Sequence, residues 1–151
     1  MDNQQRSISA FEFGWFCGII DGEGCIGLWS RGGGRKDEYK PGLRMSNTDK
    51  KIINAFCSVL DRLEVSYHIT TYKPRSETTK GYWTVTIEGF KRLKNLLPKI
   101  KDMLVAKSEQ ALLVWEWVQS RDSKWHRSQY SERELEIPKL VASLNHRGLQ
   151  K

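Results

Sequence analysis

A helix-forming apolar run with a small residue at every fourth position constrains this chain more than any other feature. Ala10, Gly14, Gly18 and Gly22 fall at strict four-residue intervals, so on a helix they form one smooth stripe. Each interior Gly costs a helix about 1 kcal/mol relative to Ala, and that cost needs an offsetting reason. A stripe without side chains lets another backbone approach closely, and a second helix is the natural occupant. The competing reading is a helix that ends early, near Gly18. Ser9 followed three residues later by Glu12 has the form of a capping box, with Ser7 as the alternative cap. The predicted helix covers residues 9–21, with Phe11, Trp15 and Ile19 at helical spacing.

Downstream, the hydrophobic period alternates between two and about three and a half. Residues 25–31 read as a strand, Gly32, Gly33 and Gly34 open a polar turn with Arg35 and Lys36, and residues 40–46 return. In the returning strand Leu43 and Met45 share one face and Arg44 takes the other. A helix over 49–63, capped by Asn47 or Thr48, repeats Ile52, Ile53, Phe56, Val59, Leu60 and Leu63 at helical spacing. A second hairpin pairs residues 65–72 with residues 82–88 across a polar turn at 74–80. A short helix over 90–97, stopped by Pro98, precedes a longer one over 105–119. Residues 121–127 form a basic loop, and Ser131 with Glu134 repeats the capping-box pattern before a terminal helix that runs on or restarts at Pro138.

This order predicts an α+β fold: a four-stranded antiparallel sheet with helices on one face. The other face would carry Trp29, Arg31, Lys40, Arg44, His68, Thr70, Tyr72, Tyr82, Thr84 and Thr86. Cations, hydroxyls and flat rings suit phosphates and base edges, where an ordinary solvated face needs no aromatics. Lys and Arg total 25 against 18 Asp and Glu, a net charge of +7. That excess favours a polyanionic partner, because each neutralised phosphate releases counterions. Cys17, Cys25 and Cys57 form no CxxC pair and lie in apolar segments, as reduced core thiols of an intracellular protein would. His68, His126 and His146 are too scattered for a zinc site. The start Met1-Asp2-Asn3-Gln4-Gln5 is too polar for a signal peptide. A soluble chain in the cytoplasm, nucleoid or an organelle matrix is expected, neither secreted nor membrane-bound.

The sharpest signal is Phe16-Cys17-Gly18-Ile19-Ile20-Asp21-Gly22-Glu23-Gly24. Asp21 and Glu23 sit at the C-terminal end of an apolar helix, where the helix dipole disfavours anions by about 0.3–1 kcal/mol. Acids in a disfavoured place, beside glycines that expose backbone, point to a hard-cation site. The bland reading is a turn with solvated acids. This stretch resembles the LAGLIDADG motif position by position, with Phe16 for the leading Leu and Cys17 for the small Ala. Gly18 is kept, Ile19 and Ile20 form the apolar pair, and Asp21, Gly22, Glu23 and Gly24 complete it. The chain is identified as a member of the LAGLIDADG homing endonuclease family, of the single-motif type. The family's helix–strand–strand–helix–strand–strand–helix saddle fold covers residues 1–120, leaving 121–151 as a basic, helical C-terminal extension of the same domain.

The resemblance implies residue roles. Glu23 would bind catalytic Mg²⁺ (or Mn²⁺), with the Gly22 carbonyl beside it and Asp21 as a helix-end or supporting group. Gly14, Gly18 and Gly22 would form the seam of a homodimer. Asn47, Lys51 and Lys107 would surround the cleaved phosphate, Lys107 most securely because Lys107-Ser108-Glu109-Gln110-Ala111 is similar to the family's lysine-plus-glutamine segment. Asn47 is shorter than the glutamine common there, and Lys51 stands where arginine is common. The implied activity is metal-dependent cleavage of both strands of a long pseudo-palindromic DNA site, leaving short 3′ overhangs. Two other functions fit the same fold: a maturase that binds RNA in splicing, and a non-catalytic DNA-binding regulator. Retention of Glu23 and Lys107 favours cleavage.

Overall fold

A computed structural model describes residues 7–32, 38–124 and 129–147 of the chain. The residues before Ser7, the turn at Gly33, Gly34, Arg35 and Lys36, and the basic segment with Trp125, His126 and Arg127 lie outside the described residues.

The first helix, α1 (Ala10–Glu23), begins as its capping box requires. Ser9 Oγ accepts the Glu12 N–H at 3.1 Å, and Glu12 Oε2 accepts the Ser9 N–H at 2.9 Å. The helix passes through Gly18 without a break and reaches Glu23, two residues beyond the predicted end. Only one side of α1 is buried, by Phe16, Cys17 and Ile20, while Ala10, Gly14, Gly18 and Gly22 all face outward. A Cβ built on Gly14, Gly18 or Gly22 meets nothing within 4 Å, and Phe11 beside them is 82% exposed.

Strands β1 (Gly24–Ser30) and β2 (Tyr39–Asn47) pair antiparallel, followed by α2 (Lys50–Arg62). Asp49, rather than Asn47 or Thr48, caps α2: its Oδ1 accepts the Lys51 N–H at 2.8 Å, while Asn47 Oδ1 accepts the Asp49 N–H at 2.8 Å. Strand β3 (His68–Tyr72) starts three residues later than predicted. The turn after α2 needs Glu64 at φ 57 and returns the Val65 N–H to the Leu60 carbonyl, so Val65 packs in the core instead of pairing. Strand β4 (Tyr82–Glu88) completes a sheet in the order β1-β2-β4-β3. Ile26, Leu28, Leu43, Met45, Val85 and Ile87 project from one face into the core made with the helices.

Two prolines expected to stop or restart helices lie inside them. Helix α3 (Phe90–Ile100) contains Pro98, and the carbonyl of Lys94 that loses its donor belongs to an exposed residue, where water can serve it. Helix α5 (Glu132–Arg147) contains Pro138. There the Glu134 carbonyl, four residues back, accepts the Trp117 indole N–H at 3.2 Å. Helix α4 (Ser108–Asp122) starts three residues later than predicted, for a reason that belongs to the site.

The C-terminal helix is part of the core. Ile137 and Val141 join the same cluster as Phe16 and Trp117. Asn145 Nδ2 donates to the Ile26 carbonyl at 3.0 Å, so α5 shields the outer edge of β1. Glu134 is 1% exposed and faces Arg121 at 3.1 Å and Lys124 at 2.6 Å. Burial works to raise its pKa, but hydrogen bonds from Lys124, Ser131 and Arg121 outweigh it and hold the carboxyl at about 2. Glu134 therefore contributes stability that is complete above the ordinary 4.5 and disappears as pH falls toward 2. Glu134→Ala is expected to cost about 3–5 kcal/mol at neutral pH, since it removes the carboxylate facing a buried guanidinium. Urea unfolding measures this, and the gap between variant and parent should close between pH 4.5 and 2. Among the described residues no helix is long and apolar enough to cross a membrane.

Candidate functional site

The last turn of α1 meets the segment leading into α4. Asp21 Oδ2 accepts the Val105 N–H at 2.8 Å and Oδ1 accepts the Lys107 N–H at 3.1 Å. Asp21 thus supplies, from another helix, the acceptors that the start of α4 lacks in its own sequence, since Lys107 at the N-cap makes no side-chain cap. This accounts for the late start of α4 and for an acid at an unfavourable helix end. Lys107 Nζ turns back and donates to the Asp21 carbonyl, placing an ammonium at the negative end of α1.

Glu23, the last residue of α1, is exposed and makes no hydrogen bond or ion pair among the described residues. The Gly22 and Glu23 carbonyls are among the last four of the helix and have no donor further along it. Among the described residues no three His, Cys, Asp or Glu side chains gather as a metal site. The donor set at Glu23 is one unengaged carboxylate beside backbone oxygens. It fits Mg²⁺, which uses one or two carboxylates and takes its remaining oxygens from phosphates and water. Gly24 pairs with Met45, so β2 ends at Asn47 on the same side of the sheet where α1 ends. Asn47 has its carbonyl oxygen committed to Asp49, leaving its amide N–H groups. Lys51 is exposed in the first turn of α2.

The strand register places nine of the ten predicted face residues on one face. Trp29 is opposite Lys40, Arg44 opposite Thr86, His68 opposite Thr86, Thr70 opposite Thr84, and Tyr72 opposite Tyr82. Arg31 lies just past β1, 3.8 Å from Glu38. Tyr72 and Tyr82 stack at 4.6 Å near the hairpin end. The face is less open than its composition suggests. Thr84 and Thr86 are 9% and 5% exposed, because β4 is an inner strand flanked by larger side chains, and Thr84 Oγ1 lies 2.7 Å from Ser46 Oγ. The Trp29 ring lies flat on the sheet, so that a Cβ at Gly27 or Gly42 would meet it at 2.8 or 2.4 Å. Arg44 covers that ring at 4.2 Å.

Members of the face missed from sequence include Ser46, which lies opposite Thr84, as well as Glu88 and Cys25. Glu88 continues the parity of Tyr82, Thr84 and Thr86 and pairs with both Lys40 and Arg44. Cys25, expected in the core, shares parity with Trp29 and lies opposite Arg44. Burial raises its thiol pKa, and the charges of Lys107 and Arg44 pull it part of the way back. The cation at the α1 end and the cation on the sheet therefore border the same half-buried residue. Trp29, Ser30, Arg31, Lys40, Arg44 and Glu88 line a recess of about 430 Å³ on this face. A larger cavity of about 510 Å³ is lined by Tyr39, Trp117 and Tyr130, among others, and includes neither Asp21 nor Glu23. A surface for an extended partner need not be the deepest hollow.

The family profile described as LAGLIDADG-like domain matches residues 10–101. No curated protein matches by sequence. Among solved structures, the homing endonuclease I-CvuI in complex with its target in the presence of Ca superposes with a TM-score of 0.65 at 16% identity. That match covers 89% of this chain and 82% of that one. The group I intron-encoded homing endonuclease I-CeuI complexed with DNA gives 0.62 at 11% identity, over 82% of this chain and 61% of that one. The LAGLIDADG homing endonuclease I-GzeII in complex with a DNA target gives 0.56 at 16% identity, over 91% of this chain and 44% of that one.

Proposed function

The chain belongs to the LAGLIDADG-like domain family, and from that premise we propose that two copies form a site-specific DNA endonuclease that cuts both strands by metal-dependent phosphodiester hydrolysis. One observation carries the reading: an exposed stripe of small residues on α1 runs directly into Glu23, exposed and without a partner among the described residues, on the helix end where Lys107 meets the Asp21 carbonyl. Packing two α1 helices along that stripe brings two Glu23 carboxylates to a common axis. It also covers Phe11, an apolar side chain that a monomer leaves in water.

Glu23, with the Gly22 carbonyl, would hold the divalent ion. When bound, Mg²⁺ (or Mn²⁺) lowers the pKa of water and neutralises charge on the phosphate. Asp21 keeps α4 docked on α1, so that Lys107 is fixed where it can counter the charge that develops on the phosphate. The free Asn47 amide donates to a phosphate oxygen. Lys51 and the N–H groups at the start of α2 attract the backbone. The two sheets would follow the major groove on either side of the axis, with cutting across the minor groove, short 3′ overhangs and a pseudo-palindromic target.

The test is to incubate the protein with a genomic DNA library and Mg²⁺ and to sequence the ends. Recurrent breaks at one pseudo-palindromic sequence, with 3′ overhangs of constant length, are expected. Tight DNA binding without cutting in Mg²⁺ or Mn²⁺ would point instead to a regulator. Preferential binding of structured RNA would point to a splicing cofactor.

A further inference from the structure

Glu88 is a carboxylate set between two cations on the cationic and aromatic face of the sheet, whereas that face's other described carboxylate, Glu38, pairs only with Arg31 at the strand end. Its Oε1 accepts from Arg44 Nη2 at 2.8 Å, and its Oε2 lies 3.0 Å from Lys40 Nζ. The three side chains are diagonal neighbours around Gly42, which lies opposite Glu88 and has no side chain of its own to intrude. Arg44 is further fixed by the Trp29 ring, and that ring is fixed by the two glycines beneath it. The cluster is thus built and oriented before any partner arrives. A carboxylate that only weakened attraction to phosphates would need no such support.

We propose that Arg44 and Glu88 together read one G·C base pair in each half-site. The inference rests on the reading that this face enters the major groove of DNA. In a G·C pair the guanine O6 and cytosine N4 are hydrogen-bonded at about 2.9 Å, close to the 2.8 Å between Arg44 Nη2 and Glu88 Oε1. Arg44 has further N–H groups for the adjacent O6 and N7 acceptors of guanine, and Glu88 has unused lone pairs for the cytosine N4–H. An A·T pair also offers an acceptor beside a donor, but no single base of it offers the two neighbouring acceptors that the guanidinium fork needs. Arg44 lies one residue from Met45, where the sheet meets the end of α1. The position read therefore falls in the inner part of each half-site, near the cut.

Selection of bound duplexes from a randomised library, read by binding and not by cutting, tests this with the full-length protein. Wild type is expected to select G·C at one inner position of each half-site. Glu88→Gln, which keeps the shape, should lose discrimination there roughly ten- to a hundredfold while the other positions hold. Arg44→Gln should relax the same position. Equal thermal midpoints for wild type and Glu88→Gln would exclude misfolding as the cause. An unchanged profile in Glu88→Gln, or a uniform gain of affinity at every position, would overturn the proposal and leave the nuclease reading standing. Failure of wild type to select any sequence would overturn both.

Discussion

Glu23→Gln is expected to lower the single-turnover rate of double-strand cutting by on the order of a thousandfold or more, with site binding retained. The amide keeps the size of the side chain and removes the charge that would hold the metal. Losing the ion's action on water and phosphate is worth several kcal/mol, at about 1.4 kcal/mol per tenfold in rate. The fold should not suffer, because Glu23 is exposed and engages no described residue. An anion at a helix C-terminus is itself unfavourable by about 0.3–1 kcal/mol, so the inactive variant should be equal or slightly superior in stability. Cutting rates on a defined duplex in Mg²⁺, beside a melting curve for each protein, measure both halves. A variant that loses activity and stability together would assign Glu23 a structural role.

The second large effect concerns the seam. Gly18→Leu should leave a well-folded protomer, since a Cβ at Gly18 meets nothing within 4 Å and Leu favours the helix by up to about 1 kcal/mol over Gly. Across a two-fold axis, however, two leucines would occupy the space where the facing backbones approach. Overpacking of about 1–3 kcal/mol on each side weakens the dimer roughly thirtyfold or more. Light scattering should report a monomer at concentrations where the parent is dimeric, melting should be unimpaired, and cutting should be lost. If Gly18→Leu stays dimeric and active, the copies meet on another surface.

Sequence patterns made the cap of α1, its small-residue stripe and the parity of each strand legible, because these depend on local geometry. Strand parity is enough to put the predicted face residues on one side of the sheet. What the patterns missed depended on partners distant in the chain. Asp21 caps the start of α4 from another helix, so no local cap marked where α4 begins. Pro138 sits within α5 because the Trp117 indole takes the carbonyl that the proline leaves without a donor. Asp49 displaced Asn47 as the cap of α2, because a residue ending a strand could cap Asp49 in turn. Parity alone places Glu88 on the face, but its pairing with Lys40 and Arg44 depends on the register of β2 against β4. The half-buried position of Cys25 followed from parity as well, but thiols in apolar segments read as core.

In the proposed active unit two copies join through α1, with both Glu23 carboxylates at the axis. The most direct measurement is the number of chains bound to one target duplex, by sedimentation or light scattering, using Glu23→Gln so that the DNA stays whole. Two chains per duplex are expected at saturation, and a Gly18→Leu protein should fail to reach that ratio. One chain per duplex at saturation, with wild-type protein cutting both strands at the same ratio, would contradict this arrangement.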